Sequence, residues 1–135
     1  MNKIELWKDR KSGKIDPALF SDTAEEFARL IAKDCEISKG KKQNKTSQIR
    51  KFYDEILRLN REAGTPDTDW DNLLPLVNMV TAKAAYARGR DLISDNFLDF
   101  IKYSIGQVQE KKDLAVFTNF FEAFYGFYKL HSPEK

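Results

Sequence analysis

Cysteine and histidine occur once each in the 135 residues, as Cys35 and His131. A lone thiol forbids a disulfide within the chain, and the pair cannot supply the four ligands of a structural zinc site. Ser-His-Asp or Cys-His catalysis would have to run through His131 alone. No GxxxxGK[ST], GxGxxG, HExxH or GxSxG motif is present. A helical ribonuclease with histidine four to six residues after an arginine is excluded at the last helix, where positions 125–127 are Tyr, Gly and Phe. Long apolar runs are missing too. Residues 114–130, the most apolar stretch, are interrupted by Asn119, Glu122 and Lys129 and are short for a bilayer span. The first ten residues hold no apolar core of signal-peptide length. These absences lead us to expect no enzyme, no cofactor, no metal site and no membrane partner, in a cytoplasmic protein.

Charge of one sign is not in surplus either. The net charge is +2, so binding of a polyanion through bulk charge is not indicated and any such site must be local. What is present is a globular balance, 41% hydrophobic and 33% charged residues, in a length that suits one domain with one core.

Proline and glycine, four and six in number, fall almost entirely at the ends of amphipathic stretches. The first helix follows Ser21-Asp22-Thr23-Ala24-Glu25, where Asp22 and Glu25 suit a capping box, and runs to about Cys35. Residues 39–45 contain no apolar side chain and read as a mobile basic loop. Thr46 or Ser47 caps a second helix ending near Gly64, with Ile49, Phe52, Tyr53 and Ile56 on one stripe. Asp69 or Asp71 opens a third helix to about Arg88, Ser94 caps a fourth, and Asp113 opens a fifth. The expected fold is therefore all-α, a single-domain bundle of about five helices over residues 1–135, with residues 1–20 as an N-terminal arm.

Local charge is more informative than the total. Residues 39–61 hold Lys39, Lys41, Lys42, Lys45, Arg50, Lys51, Arg58 and Arg61 against only Asp54 and Glu55, a +6 segment in a chain of net +2. At about 100° per residue, Arg50, Lys51, Arg58 and Arg61 lie opposite the apolar stripe of the second helix. The hydroxyls and amides of the Thr46-Ser47 helix start lie beside this ridge and suit phosphate oxygens. The plainer alternative is a solvated surface rich in lysine. Arg88 at the end of the third helix is explained by the helix dipole; Arg90, beyond Gly89, is not. His131 reads as a solvated tail residue.

Aromatic residues concentrate in the fifth helix, seven of them between Phe117 and Tyr128. Val116, Phe120, Ala123 and Phe127 form a second apolar face there. Either the helix is buried over more than half its circumference, or Val116, Phe120 and Phe127 form a protein interface. The second option supports an alternative function, a helical adaptor that binds protein and no nucleic acid.

The order of two motifs is distinctive. Lys45-Thr46-Ser47-Gln48-Ile49-Arg50-Lys51-Phe52-Tyr53, followed about thirty residues later by Ala84-Ala85-Tyr86-Ala87-Arg88-Gly89-Arg90, resembles the small subunit of type III-A CRISPR–Cas effector complexes, the Csm small-subunit family. The resemblance covers roughly residues 40–128. It implies a non-catalytic helical subunit that stacks head to tail with copies of itself and packs against other subunits of the complex. Its partners would include guide RNA and target RNA, touched through the backbone without sequence reading. Carried over, Thr46, Ser47, Arg50 and Lys51 would face RNA and Arg90 would add a contact. Lys41, Lys42, Lys45, Arg58 and Arg61 complete the expected RNA-binding set.

Overall fold

The computed structural model describes residues 3–134. Five helices carry the chain: α1 (Ala24–Ile37), α2 (Thr46–Ala63), α3 (Trp70–Gly89), α4 (Asp95–Gly106) and α5 (Lys111–His131). The fold is all-α, with no strand among the described residues; a single antiparallel bridge joins Asp9 to Lys14. The α5 helix packs against α1 and α2, and α3 packs against α4 and α2.

Aromatic burial is the main source of cohesion. Phe27, Phe97, Phe100, Phe117, Phe121 and Phe124 interlock with ring centroids 4.4–6.3 Å apart in tilted and edge-on pairs. Each ring withdrawn from water contributes about 1.5–3 kcal/mol, before the pair geometry adds its share. Phe120 is 0% exposed and Val116 6% exposed, both within this core. That corrects the expectation of a partner surface on α5. In a bundle where α1, α2 and the segment before α1 all pack on one helix, both apolar faces are used internally. Phe127 is half-buried against the same core. The adaptor reading loses Val116 and Phe120 from its surface.

Helix starts follow side-chain capping where the expected residue is free to cap. Asp69 accepts the Asp71 amide at 3.0 Å to open α3, and Ser94 accepts from Phe97 to open α4. The α1 start differs from expectation. A single π-turn, Leu19–Thr23, precedes it, and Thr23 is already helical at φ −65°, so Asp22 has no N-cap to serve. Asp16 accepts the Ala18 amide at 2.9 Å instead. Helix α5 begins earlier than expected, at Lys111, with Asp113 in its first turn. Pro75 lies inside α3, which runs on past it; the carbonyl it leaves unbonded belongs to the exposed Asp71.

From residue 3 onward the N-terminal arm is part of the folded body; residues 1 and 2 of it lie outside the described residues. Ile4 and Leu6 are buried, and Gln107 acts as a peptide mimic beside them. Its side-chain oxygen accepts the Leu6 amide at 2.8 Å, and its side-chain nitrogen donates to the Ile4 carbonyl at 2.9 Å. Asp113 fastens the next turn. It accepts from the Trp7 indole at 2.8 Å, from Arg10 at 2.6 Å, and from the amides of Gln109 and Glu110 at 2.9 Å.

Candidate nucleic-acid interface

The basic loop before α2 is short, turned and anchored. A 3₁₀ turn at Lys39–Lys41 is followed by Asn44 in the left-handed region, φ 61°. The Asn44 side chain is buried. Its amide nitrogen donates to the Ile31 carbonyl at 3.3 Å and to Ser94 Oγ at 2.9 Å, while its oxygen accepts the Ser94 amide at 3.0 Å. Its main chain donates to the Leu92 carbonyl and accepts from the Tyr128 hydroxyl. One residue therefore ties α1, α4 and α5 to the start of α2, and the loop expected to be mobile is anchored at that end. A buried polar hub with its bonds satisfied fixes a unique geometry. The loop's lysines point outward from that anchor, Lys41 toward Glu36 at 3.7 Å and Lys42 toward Asp91 at 4.0 Å.

Helix α2 presents one apolar stripe to the core, with Ile49, Phe52, Ile56, Leu59 and Ala63 buried. The other half of its circumference carries Arg50, Lys51, Arg58 and Arg61, all exposed. They are not equivalent. Arg58 is held by Glu55 at 3.1 Å and by Glu62 at 3.3 Å, and Lys83 of α3 reaches the same Glu55 at 2.7 Å. Hydrogen bonds from Arg58, then from Lys83, hold the Glu55 carboxyl below the usual carboxylate range. Arg50 has one long contact, 3.7 Å to the exposed Asp54. Lys45, Lys51 and Arg61 have no ion-pair partner among the described residues. At about 1.5 Å rise per residue, these free cations mark out roughly 24 Å of helix, the length of a short run of phosphates.

Thr46 and Ser47 do not cap α2. Thr46 is the first helical residue, after Lys45, and its amide donates to the Glu134 carboxylate at 3.0 Å. An anion does stand at the positive end of α2, and it comes from the chain's own C-terminal segment. His131, expected as a solvated tail residue, is half-buried and bonds Glu25 of α1 at 2.7 Å. The adjoining thiol of Cys35 is buried and pushed up from its usual range by that burial and by Glu134. A buried thiol of raised pKa is a core residue, not a nucleophile.

At the far end of α3, Arg88 crosses to Asp95 at 2.6 Å and Asp91 at 3.6 Å, joining α3 to α4. Arg90 has no such pair among the described residues; its guanidinium lies 5.8 Å from the ring centre of the exposed Tyr86. Sequence reasoning placed Arg50, Lys51, Arg58 and Arg61 opposite the apolar stripe and counted Glu55 against the basic segment, but missed that Glu55 and Glu62 hold Arg58. It also missed Asn44. An asparagine as the last residue before Lys45 and the α2 start, in a segment otherwise made of lysine and glutamine, was the available signal for a left-handed anchor.

The family model described as Csm2 Type III-A matches residues 17–134. The chain belongs to the Csm2 Type III-A family. Membership supports a structural small subunit of a type III-A CRISPR complex, and the match spans the basic ridge and all five helices. No curated protein and no solved structure matches the chain. Among the described residues, no helix is long and apolar enough to cross a membrane.

Proposed function

We propose that this Csm2-family chain is a non-catalytic subunit of a type III-A complex that grips guide and target RNA by the sugar-phosphate backbone. The exposed flank of α2 is the contact surface, with Lys45, Arg50, Lys51 and Arg61 as the primary cations. Copies of the chain stack beside one another in the complex and against its other subunits. The observation that carries this reading is the free charge: three cations along α2 without partners among the described residues, and Arg50 with only a long, exposed one. Exposed pairs of that kind are worth little, so a phosphate displaces Asp54 at small cost. Recognition by fixed charge on a rigid helix carries no base preference, which suits a complex whose specificity lies in base pairing.

The test belongs in the assembled complex. Arg50→Ala is expected to weaken binding of unrelated RNA sequences alike, and to make the dependence of log affinity on log salt shallower by about 0.7–0.9 for the lost phosphate contact. An unchanged affinity with an unchanged slope rejects the role given to Arg50.

A further inference from the structure

The α2–α3 junction holds a groove of about 370 Å³, within the size range of small-ligand clefts, about 300–1,000 Å³. Lys51, Lys83, Arg90 and Glu55 supply its charges, three cations to one carboxylate, and Tyr86 is part of its lining. Tyr86 is 67% exposed, the most exposed aromatic side chain of the core-forming helices. Successive turns of α3 align Leu76, Met79, Lys83, Tyr86 and Arg90 on one stripe beside the buried face. An aromatic ring left to solvent among cations, next to a ridge of free positive charge, is the composition of a single-strand binding surface. There bases stack on aromatic faces while lysine and arginine follow the phosphates.

We propose that this groove seats one unpaired nucleobase of a single-stranded RNA segment, with Tyr86 as the stacking platform. The proposal rests on the RNA reading of α2 given above. Arg90 steadies the ring through its cation–π contact and offers its guanidinium to the adjoining phosphate. Lys51 lines the groove from the α2 side and joins it to the ridge. Lys83, already bonded to Glu55, fixes the groove's width rather than binding RNA. Base pairs within a duplex are stacked on each other and offer no free face, so the ligand here is a base outside the duplex. A protein partner laid along Leu76 and Met79 is the competing occupant; it has no need of Lys51 and Arg90, the two cations Glu55 does not neutralise, and the charge favours RNA.

Ultraviolet crosslinking of the assembled complex to RNA decides the question, with variants Tyr86→Ala, Tyr86→Phe and Lys51→Ala. We expect nucleotide adducts on the tryptic peptide of residues 84–88. Tyr86→Ala should weaken single-stranded RNA binding on the order of 5- to 150-fold, the range for loss of one stacked base, with the salt slope unchanged. Tyr86→Phe should keep the affinity, and Lys51→Ala should make the slope shallower. Because Tyr86 is exposed, circular dichroism should show the alanine variant folded as wild type. Salt-dependent binding with adducts confined to α2, and no effect of Tyr86→Ala, overturns the stacking site and leaves the ridge standing. If Tyr86→Ala lowers assembly of the complex while RNA affinity per complex holds, the groove is a protein contact and the proposal fails. If neither α2 nor α3 is crosslinked and Lys51→Ala changes nothing, the RNA reading itself falls.

Discussion

Two arginine–aspartate contacts in this molecule have the same chemistry and opposite meaning. At the N-terminal arm, Arg10 meets Asp113 at 2.6 Å, and the carboxylate is fully buried with three further donors around it. On α2, Arg50 reaches Asp54 at 3.7 Å with both side chains more than half exposed. Burial would raise the Asp113 pKa, yet the bonds from Arg10, the Gln109 and Glu110 amides and Trp7 outweigh it and hold the carboxyl below its ordinary value. The first pair is a fastening whose loss leaves charge stranded in the core. The second keeps a guanidinium oriented and available. Charge that is satisfied inside the fold builds the fold; charge left weakly satisfied outside it is what a polyanion can use.

The comparison breaks most visibly at Asp113. Asp113→Ala leaves the indole and two amides without their acceptor and frees the part-exposed Arg10; at about 1 kcal/mol or more for each unsatisfied donor, the loss is about 3–5 kcal/mol. At this chain length that lowers the thermal midpoint by roughly 10–20 °C. The pH dependence has a defined sign. A carboxyl whose folded pKa lies below its unfolded value near 3.9 stabilises the fold above that value, and the contribution is lost as pH falls toward the folded pKa. Wild type and Asp113→Asn should therefore begin to converge in stability below about pH 4 and go on converging as pH falls toward the folded pKa. Parallel melting curves from neutral to acid pH would show that the arm is not fastened through this charge. Arg50→Ala, by contrast, should leave the midpoint within about 4 °C, since exposed pairs contribute about 0–1 kcal/mol, and should act on RNA alone.

The same division explains what could be read from the sequence. Helix periods were legible because a buried stripe must recur every three to four residues, and Ile49, Phe52 and Ile56 do so. Seats for Asp69 and Ser94 were legible because capping is a local bond. The basic flank of α2 was legible because helical geometry alone separates it from the core. What escaped notice depends on contacts distant in sequence. Asp113 binds residues about a hundred positions away, and Gln107 completes the arm across a similar gap. Asn44 meets Ser94 and Tyr128. The second face of α5 was ambiguous for the same reason: Val116 and Phe120 read alike as interface or core until their neighbours are known.

A smaller effect sharpens the boundary between the two kinds of charge. Glu55 is the residue that converts part of the α2 flank from free to satisfied, because it holds both Arg58 and Lys83. Glu55→Gln removes that counter-charge while keeping the shape of the side chain. If the flank binds phosphate, Lys83 becomes available and Arg58 is left with the exposed Glu62 alone. RNA affinity in the assembled complex should then rise, and the salt dependence should steepen by about 0.7–0.9 for each cation recruited. The thermal midpoint should fall slightly, since an α2–α3 tie is lost. If the substitution lowers the midpoint and leaves RNA affinity and slope where they were, Arg58 and Lys83 serve the fold only.

The smallest expected effect concerns the start of α2, where Glu134 occupies the Thr46 amide. A carboxylate at a helix N-terminus stabilises by about 0.3–1 kcal/mol when exposed, and it competes with any phosphate for the same donor. Glu134→Gln weakens that competition and removes one negative charge beside Lys45. RNA binding should strengthen about two- to fivefold if a phosphate approaches this end of the ridge, since a gain of that size corresponds to the exposed helix-end interaction given up. Stability should fall by no more than the same interaction. The measurement is a pair of binding isotherms at low and moderate salt, and the gain should be larger at low salt because the removed repulsion is screened. Equal affinities at both salts would mean that RNA follows α2 from Arg50 onward and never reaches its first turn.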